Sequence, residues 1–124
     1  MNKKRPINLN LATIQFPVMA IVSILHRISG LILFLLFPWI LYLASQSLTN
    51  ADSFLQTHDL LQHPLSKLLS WAFGSALIYH LLAGIRHLIM DLGYGEQVCQ
   101  GRRSAIAVIT LTVILDLLLG IWIW

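Results

Sequence analysis

Trp71 to Gly93 reads WAFGSALIYHLLAGIRHLIMDLG. It is an apolar run with a histidine deep inside and a polar cluster at its far end. On a helix, residues three, four or seven apart share a face. Ala72, Ala76, His80, Gly84, His87 and Asp91 therefore line up as one stripe. Leu77, Ile78, Leu81, Leu82, Ile85, Leu88 and Ile89 cover the remainder. A helix that is apolar nearly all round is buried or lies in lipid. The small residues flanking His80 predict open space beside an imidazole, as a flat cofactor needs.

The rest of the chain agrees with a membrane setting. Of its 124 residues, 57% are hydrophobic and only 10% charged, with a mean hydropathy of +0.77. A soluble domain of this size needs more polar surface. The formal charge of +3 sits at the ends of apolar runs, where it sets topology. No basic stripe interleaved with aromatics points to nucleic acid. The single cysteine, Cys99, excludes an internal disulfide, and a Cys-rich zinc or iron–sulfur site built by this chain alone. With no Cys-x-x-Cys-His motif, any haem is held non-covalently. The first apolar run is longer than the core of a cleaved signal peptide, so no cleavage is expected.

These patterns predict an all-α integral membrane protein. Three transmembrane helices, at about 18–48, 65–92 and 104–124, form one membrane-anchor domain over 1–124, preceded by a cytoplasmic segment, 1–17. Lys3, Lys4 and Arg5 mark the cytoplasmic end, and Ile7, Leu9, Leu11, Ile14 and Phe16 suit a short interfacial element. About 20 residues cross a bilayer core, so Ile28 to Leu48 suffices and places Ser23, His26 and Arg27 near the cytoplasmic mouth. Pro38 predicts a kink. Residues 49–64 read as a polar connection with Asp52 and Asp59 but no Lys or Arg, which suits the outer side. Pro64 fits the first turn of the second helix, and Gly93, Tyr94 and Gly95 end it. Arg102 and Arg103 lie in the next inner loop. Trp122 and Trp124 finish the third span in the outer aromatic belt, placing the C-terminus on the periplasmic side.

His80 lies about twelve residues, or roughly 18 Å, from the inner end of its helix. Ionisable groups at that depth usually mark function. Three readings stand: a neutral imidazole bonding a neighbouring helix, a haem or metal ligand, and a proton relay. The space beside His80 favours haem. A low-spin haem needs a second axial ligand, and no other histidine is expected at that depth. His26 and His87 fall nearer the inner surface, and His58 and His63 in the outer loop. The second ligand then comes from another polypeptide, a partner subunit or a second copy.

Ser23 and Arg27 are four apart on one helix face. A hydroxyl and a guanidinium at the membrane edge can bind a quinone carbonyl and stabilise its reduced anionic forms. Arg27 and His26 equally suit haem propionates, and Arg27 alone could simply snorkel. Arg86, His87 and Asp91 close the second helix, either as boundary charges or with Asp91 paired to Arg27 or His26. Asp116, inside the third span, is expected to be protonated or bonded to a partner.

Two spaced motifs now stand in order: Ser23-Ile24-Leu25-His26-Arg27-Ile28-Ser29-Gly30, and His80-x-x-x-Gly84-Ile85-Arg86-His87-Leu88-x-x-Asp91-x-Gly93. Together with Arg5-Pro6-Ile7-Asn8-Leu9 and Phe16-Pro17, they span essentially the whole chain. The chain resembles the cytochrome b membrane-anchor subunits of succinate dehydrogenase (succinate:quinone oxidoreductase, complex II), of the enterobacterial type. The resemblance implies that His80 is an axial ligand of haem b, with the other ligand on a second hydrophobic anchor subunit. It implies a ubiquinone site that includes Ser23 and Arg27, with His26 and Arg27 near the haem propionates. His87 and Asp91 match the motif as supporting residues without an assigned role. A flavoprotein subunit and an iron–sulfur subunit complete the implied complex in the bacterial inner membrane. This chain has no flavin or succinate site of its own. Rival readings are a purely structural anchor, a stand-alone cytochrome b or proton relay, and an anchor of quinol:fumarate reductase.

Overall fold

A computed structural model describes residues 16–95 and 97–124. Lys3, Lys4, Arg5 and the expected interfacial element up to residue 15 lie outside the described residues. Four helices follow: α1 (Val18–Ser47), α2 (Ala51–Gln62), α3 (Pro64–Asp91) and α4 (Val98–Ile123). Three of them, α1, α3 and α4, are long and apolar enough to cross a membrane. At about 1.5 Å per residue, the 30 residues of α1 extend well beyond the ~30 Å hydrocarbon core. One boundary departs from the expected one. Helix α4 starts at Val98 rather than at Ser104, so Arg102 and Arg103 lie within its first turns. Hydropathy marks the part of a helix that meets lipid; the backbone stays helical beyond it. Pro38 is accommodated inside α1.

The connection 49–64 is not irregular: it carries α2. Asn50 caps this helix, its Oδ1 accepting from the Ser53 amide at 2.8 Å. Asp52 sits in its first turn, where a carboxylate favours the helix dipole. Helix α3 starts at Pro64 as expected, and the His63 side chain caps it by accepting from the Leu65 amide at 3.3 Å. Its far end closes as a Schellman turn, with Gly93 N–H on Met90 O at 2.9 Å and Tyr94 N–H on Ile89 O at 3.2 Å. Gly93 adopts φ +85°, which a side chain at this position would resist.

The packed core is small. Val22, Ala83 and Ala105 are fully buried and Val108 nearly so. They mark where α1, α3 and α4 converge, toward the end bearing Val18, Asp91 and Val98. Small residues let the backbones approach there, as membrane helices require. A Cβ on Gly101 would lie 2.6 Å from Met19 Sδ. Tyr79 donates its hydroxyl to the Val22 carbonyl at 2.8 Å, joining α3 to α1. Most of the surface is apolar: Phe34, Leu35, Leu88 and Leu117 are each more than three-fifths exposed. Lipid or other polypeptides must cover such a surface.

Candidate functional site

The two motifs face each other across α1 and α3. The rings of His26 and His80 stack with centroids 4.1 Å apart and an interplanar angle of 17°. His87 tilts against His26 at 5.2 Å. The expectation that His80 has no histidine at its level is therefore corrected. Helix α1 is continuous from Val18, as expected, and His26 lies in its third turn, opposite His80. Stacking does not make the pair a two-ligand site. Opposed axial ligands point nitrogens at each other across a metal, whereas these rings lie face to face. Among the described residues, no group of three or more His, Cys, Asp or Glu side chains could hold a metal.

Each histidine is seated against a glycine of the opposite helix. A Cβ on Gly30 would come 3.1 Å from His80 Cε1, and one on Gly84 would come 3.3 Å from His26 Nε2. The space expected beside Gly84 is thus filled by the His26 ring. Open space lies instead along Ala72 and Ala76, which border a groove of about 450 Å³ between α1 and α4, floored by α3. Ser29 also borders it.

His80 is held through Nδ1, which lies 3.0 Å from Ser29 Oγ and 3.2 Å from the His26 carbonyl. Ser29 is 5% exposed and donates its hydroxyl to that same carbonyl at 2.7 Å. His80 Nε2 has no hydrogen-bond partner among the described residues. This donor set fits a haem iron that takes one imidazole from this chain. The glycine at position 30 keeps the wall beside the ring open.

Ser23 and Arg27 share a face of α1, Ser23 half-buried and Arg27 exposed. His26 turns instead toward α3, so the structure groups it with His80 and His87 rather than with Arg27. Asp91 is exposed, and the expected pairing with Arg27 or His26 does not form. The one ion pair among the described residues joins His58 and Asp59 at 3.6 Å, on α2. Asp91 is the last residue of α3, too far along its helix to meet groups well inside α1.

Two residues have roles that the pattern alone did not reveal. Ser29 stood in the first motif without a function. Arg86 read as a boundary charge, yet it is 5% exposed. Its Nε donates to Ser104 Oγ at 3.0 Å and its Nη2 to the Gly101 carbonyl at 3.2 Å, clasping α3 to the start of α4. Asp116 borders the groove. Its backbone carbonyl accepts from Trp71 Nε1 at 3.4 Å, while its buried Oδ1 has no partner among the described residues.

Comparison with known proteins agrees with the two motifs. Residues 1–119 match the family described as the succinate dehydrogenase/fumarate reductase transmembrane subunit. The chain is 50% identical to a succinate dehydrogenase cytochrome b556 subunit of Coxiella burnetii, with all of both chains covered. A cytochrome b556 subunit of Paracoccus denitrificans is 35% identical over 92% of this chain and 88% of its own. The cytochrome b560 subunit of Reclinomonas americana is 32% identical over 79% and 72%. Three apolar helices, the paired motifs and this full-length likeness together show that the chain belongs to the succinate dehydrogenase cytochrome b family of transmembrane subunits.

Proposed function

We propose that the chain binds haem b through His80 Nε2, with the second axial ligand supplied by another anchor subunit. In this reading it also helps form the site where electrons from succinate reach ubiquinone, linking the tricarboxylic acid cycle to the respiratory chain. The observation that carries this reading is the seating of His80. A membrane-embedded imidazole is fixed by one nitrogen, while the other has no partner among the described residues. The His26 Nε2 is likewise without a partner among the described residues; what singles out His80 is that Ser29 and the His26 carbonyl hold its Nδ1 from behind.

The remaining residues take roles that suit their positions. Arg27 and Ser23 bind the quinone headgroup, the guanidinium favouring the negative charge that develops on reduction. His26, with Arg27, lies where the propionates would reach the polar rim, and His87 and Asp91 support that rim. The bound haem would supply a one-electron store. The iron–sulfur and flavoprotein subunits dock on the basic, cytoplasmic side of the inner membrane, where the N-terminus lies; the C-terminus is periplasmic. Relatives named for succinate dehydrogenase favour this direction over fumarate reduction.

The test is a gentle detergent purification of the complex, followed by subunit mass analysis and a visible spectrum. Flavoprotein, iron–sulfur and second anchor subunits are expected together with a haem b spectrum. His80→Leu is expected to remove or alter that spectrum, and an unchanged spectrum refutes the ligand assignment. Arg27→Leu and Ser23→Ala are expected to slow quinone reduction while dye-linked succinate oxidation persists. Normal quinone turnover in both variants refutes that site. A purified complex without haem refutes the haem reading, and one that also fails to reduce quinone leaves the structural-anchor reading.

A further inference from the structure

We infer that Ser29 is a positioning residue for His80: its hydroxyl, with the His26 carbonyl, fixes the imidazole as the Nδ1–H tautomer and so presents the Nε2 lone pair. The inference rests on the proposed role of His80 as a haem ligand, and deepens it.

Three atoms decide the tautomer. His26 O, Ser29 Oγ and His80 Nδ1 form a triangle with sides of 2.7, 3.0 and 3.2 Å. With a proton on Nδ1, every side is attractive. The Ser29 hydroxyl donates to the carbonyl, Nδ1–H donates to Ser29 Oγ, and the same N–H leans toward the carbonyl. Without that proton, the single serine hydrogen can serve only one of its two sides. The 3.2 Å side then sets a nitrogen lone pair against a carbonyl lone pair in a buried place, which is costly. A neutral imidazole carries one ring proton. Placed on Nδ1, it leaves Nε2 bare and aimed away from the triangle.

The hydroxyl does more than a carbonyl alone. Its own donation to His26 O fixes its direction, so its lone pairs face the ring. An acceptor behind a ligating imidazole raises the ligand's basicity and holds the ring's orientation. Ser29 therefore sets how strongly His80 donates to iron, without touching the metal. Gly30 leaves the adjacent wall open, since a Cβ there would press on His80 Cε1 at 3.1 Å.

The test uses the assembled complex carrying Ser29→Ala, Ser29→Thr or His80→Leu. Haem midpoint potential and the rate of haem loss to apomyoglobin are the readouts. Ser29→Ala is expected to keep a low-spin spectrum, to move the potential positive, and to weaken haem retention about tenfold, the lower end of effects at such outer-shell partners. Ser29→Thr, which keeps the hydroxyl, is expected to stay near the unaltered protein. Unchanged potential and retention in Ser29→Ala, with haem lost in His80→Leu, overturns the role of Ser29 and leaves the ligand standing. Equal shifts in the alanine and threonine variants mean packing alone, and also overturn it. A native spectrum in His80→Leu removes the ligand reading itself. Electron–nuclear double resonance on the unaltered complex with 15N-histidine avoids any folding defect. An exchangeable proton on the remote nitrogen is expected, and its absence overturns the inference.

Discussion

Helix α3 meets its two long neighbours through seams of opposite character. Against α4, the buried polar group is Arg86, whose Nε and Nη2 donate to Ser104 and Gly101. Against α1, the polar groups are the buried Ser29 and the half-buried His26 and His80, and the Nε2 atoms of both histidines lack a partner among the described residues. Both seams place polar atoms in an apolar setting, where each needs compensation. Around Arg86 the polar groups bond one another, although farther along the same seam Asp116 Oδ1 has no partner among the described residues. The α1 seam leaves an atom available to a ligand. Burial of an ionisable side chain therefore does not by itself identify chemistry; what its atoms still lack does.

Substitutions can break or sharpen that contrast. The largest loss of stability is expected from Arg86→Met. It removes both Arg86 hydrogen bonds, at about 1.5–3 kcal/mol for bonds from a charged group, while Ser104 Oγ still donates to the Gly101 carbonyl at 3.0 Å. Detergent-titrated unfolding of the complex reads it. The visible spectrum of the fraction that still assembles should stay unaltered, because the Arg86 cluster does not touch His80. A changed spectrum with normal stability would reverse the roles assigned to the two seams.

Gly30→Ala comes next. Its new Cβ meets His80 Cε1 at 3.1 Å, and a ring held from behind by Ser29 has little room to move. Overpacking of this kind costs about 1–3 kcal/mol in a well-packed site. Here it should appear as altered haem retention and potential more than as unfolding. Equal effects on stability and spectrum would mean that the His80 seam is as closed as the cluster around Arg86.

Asp116→Asn is expected to change stability by less than about 1 kcal/mol. Membrane hydrogen bonds average near that scale, and Oδ1 has no partner among the described residues. A large loss of assembly would instead show that this carboxyl bonds another subunit. Gly101→Ala should matter least. The atom it meets is Met19 Sδ, near the end of a flexible side chain, and unfolding midpoints should barely shift. A strong effect would place the rigid part of the bundle at the α1–α4 contact.

Much of this architecture was legible before any coordinates. Apolar runs long enough to cross a bilayer gave three spans, and Pro64 and Gly93 gave the limits of α3, because these features are local. Helix α2 was missed although its signals are local too. Asn50 as cap and Asp52 in the first turn were read only as outer-loop polarity. The pairing of His26 with His80 could not be read locally. It depends on the register between α1 and α3, which neither helix's periodicity contains. Ser29 was overlooked for the same reason, since a serine beside a glycine acquires meaning only when an imidazole arrives from another helix. Arg86 misled in the opposite sense. A charge near a helix end reads as solvated until the start of α4, helical earlier than its hydropathy suggests, folds over it.

The bond from the Tyr79 hydroxyl to the Val22 carbonyl has a mechanical side. A greasy contact between two membrane helices resists separation but barely opposes sliding, since each turn presents much the same surface. A slip of one turn, about 5.4 Å, would break that bond and carry Ser29 out of reach of His80. The phenol thus acts as a detent: it sets the axial position of α1 along α3, and with it whether the imidazole and its serine stand opposite one another at all.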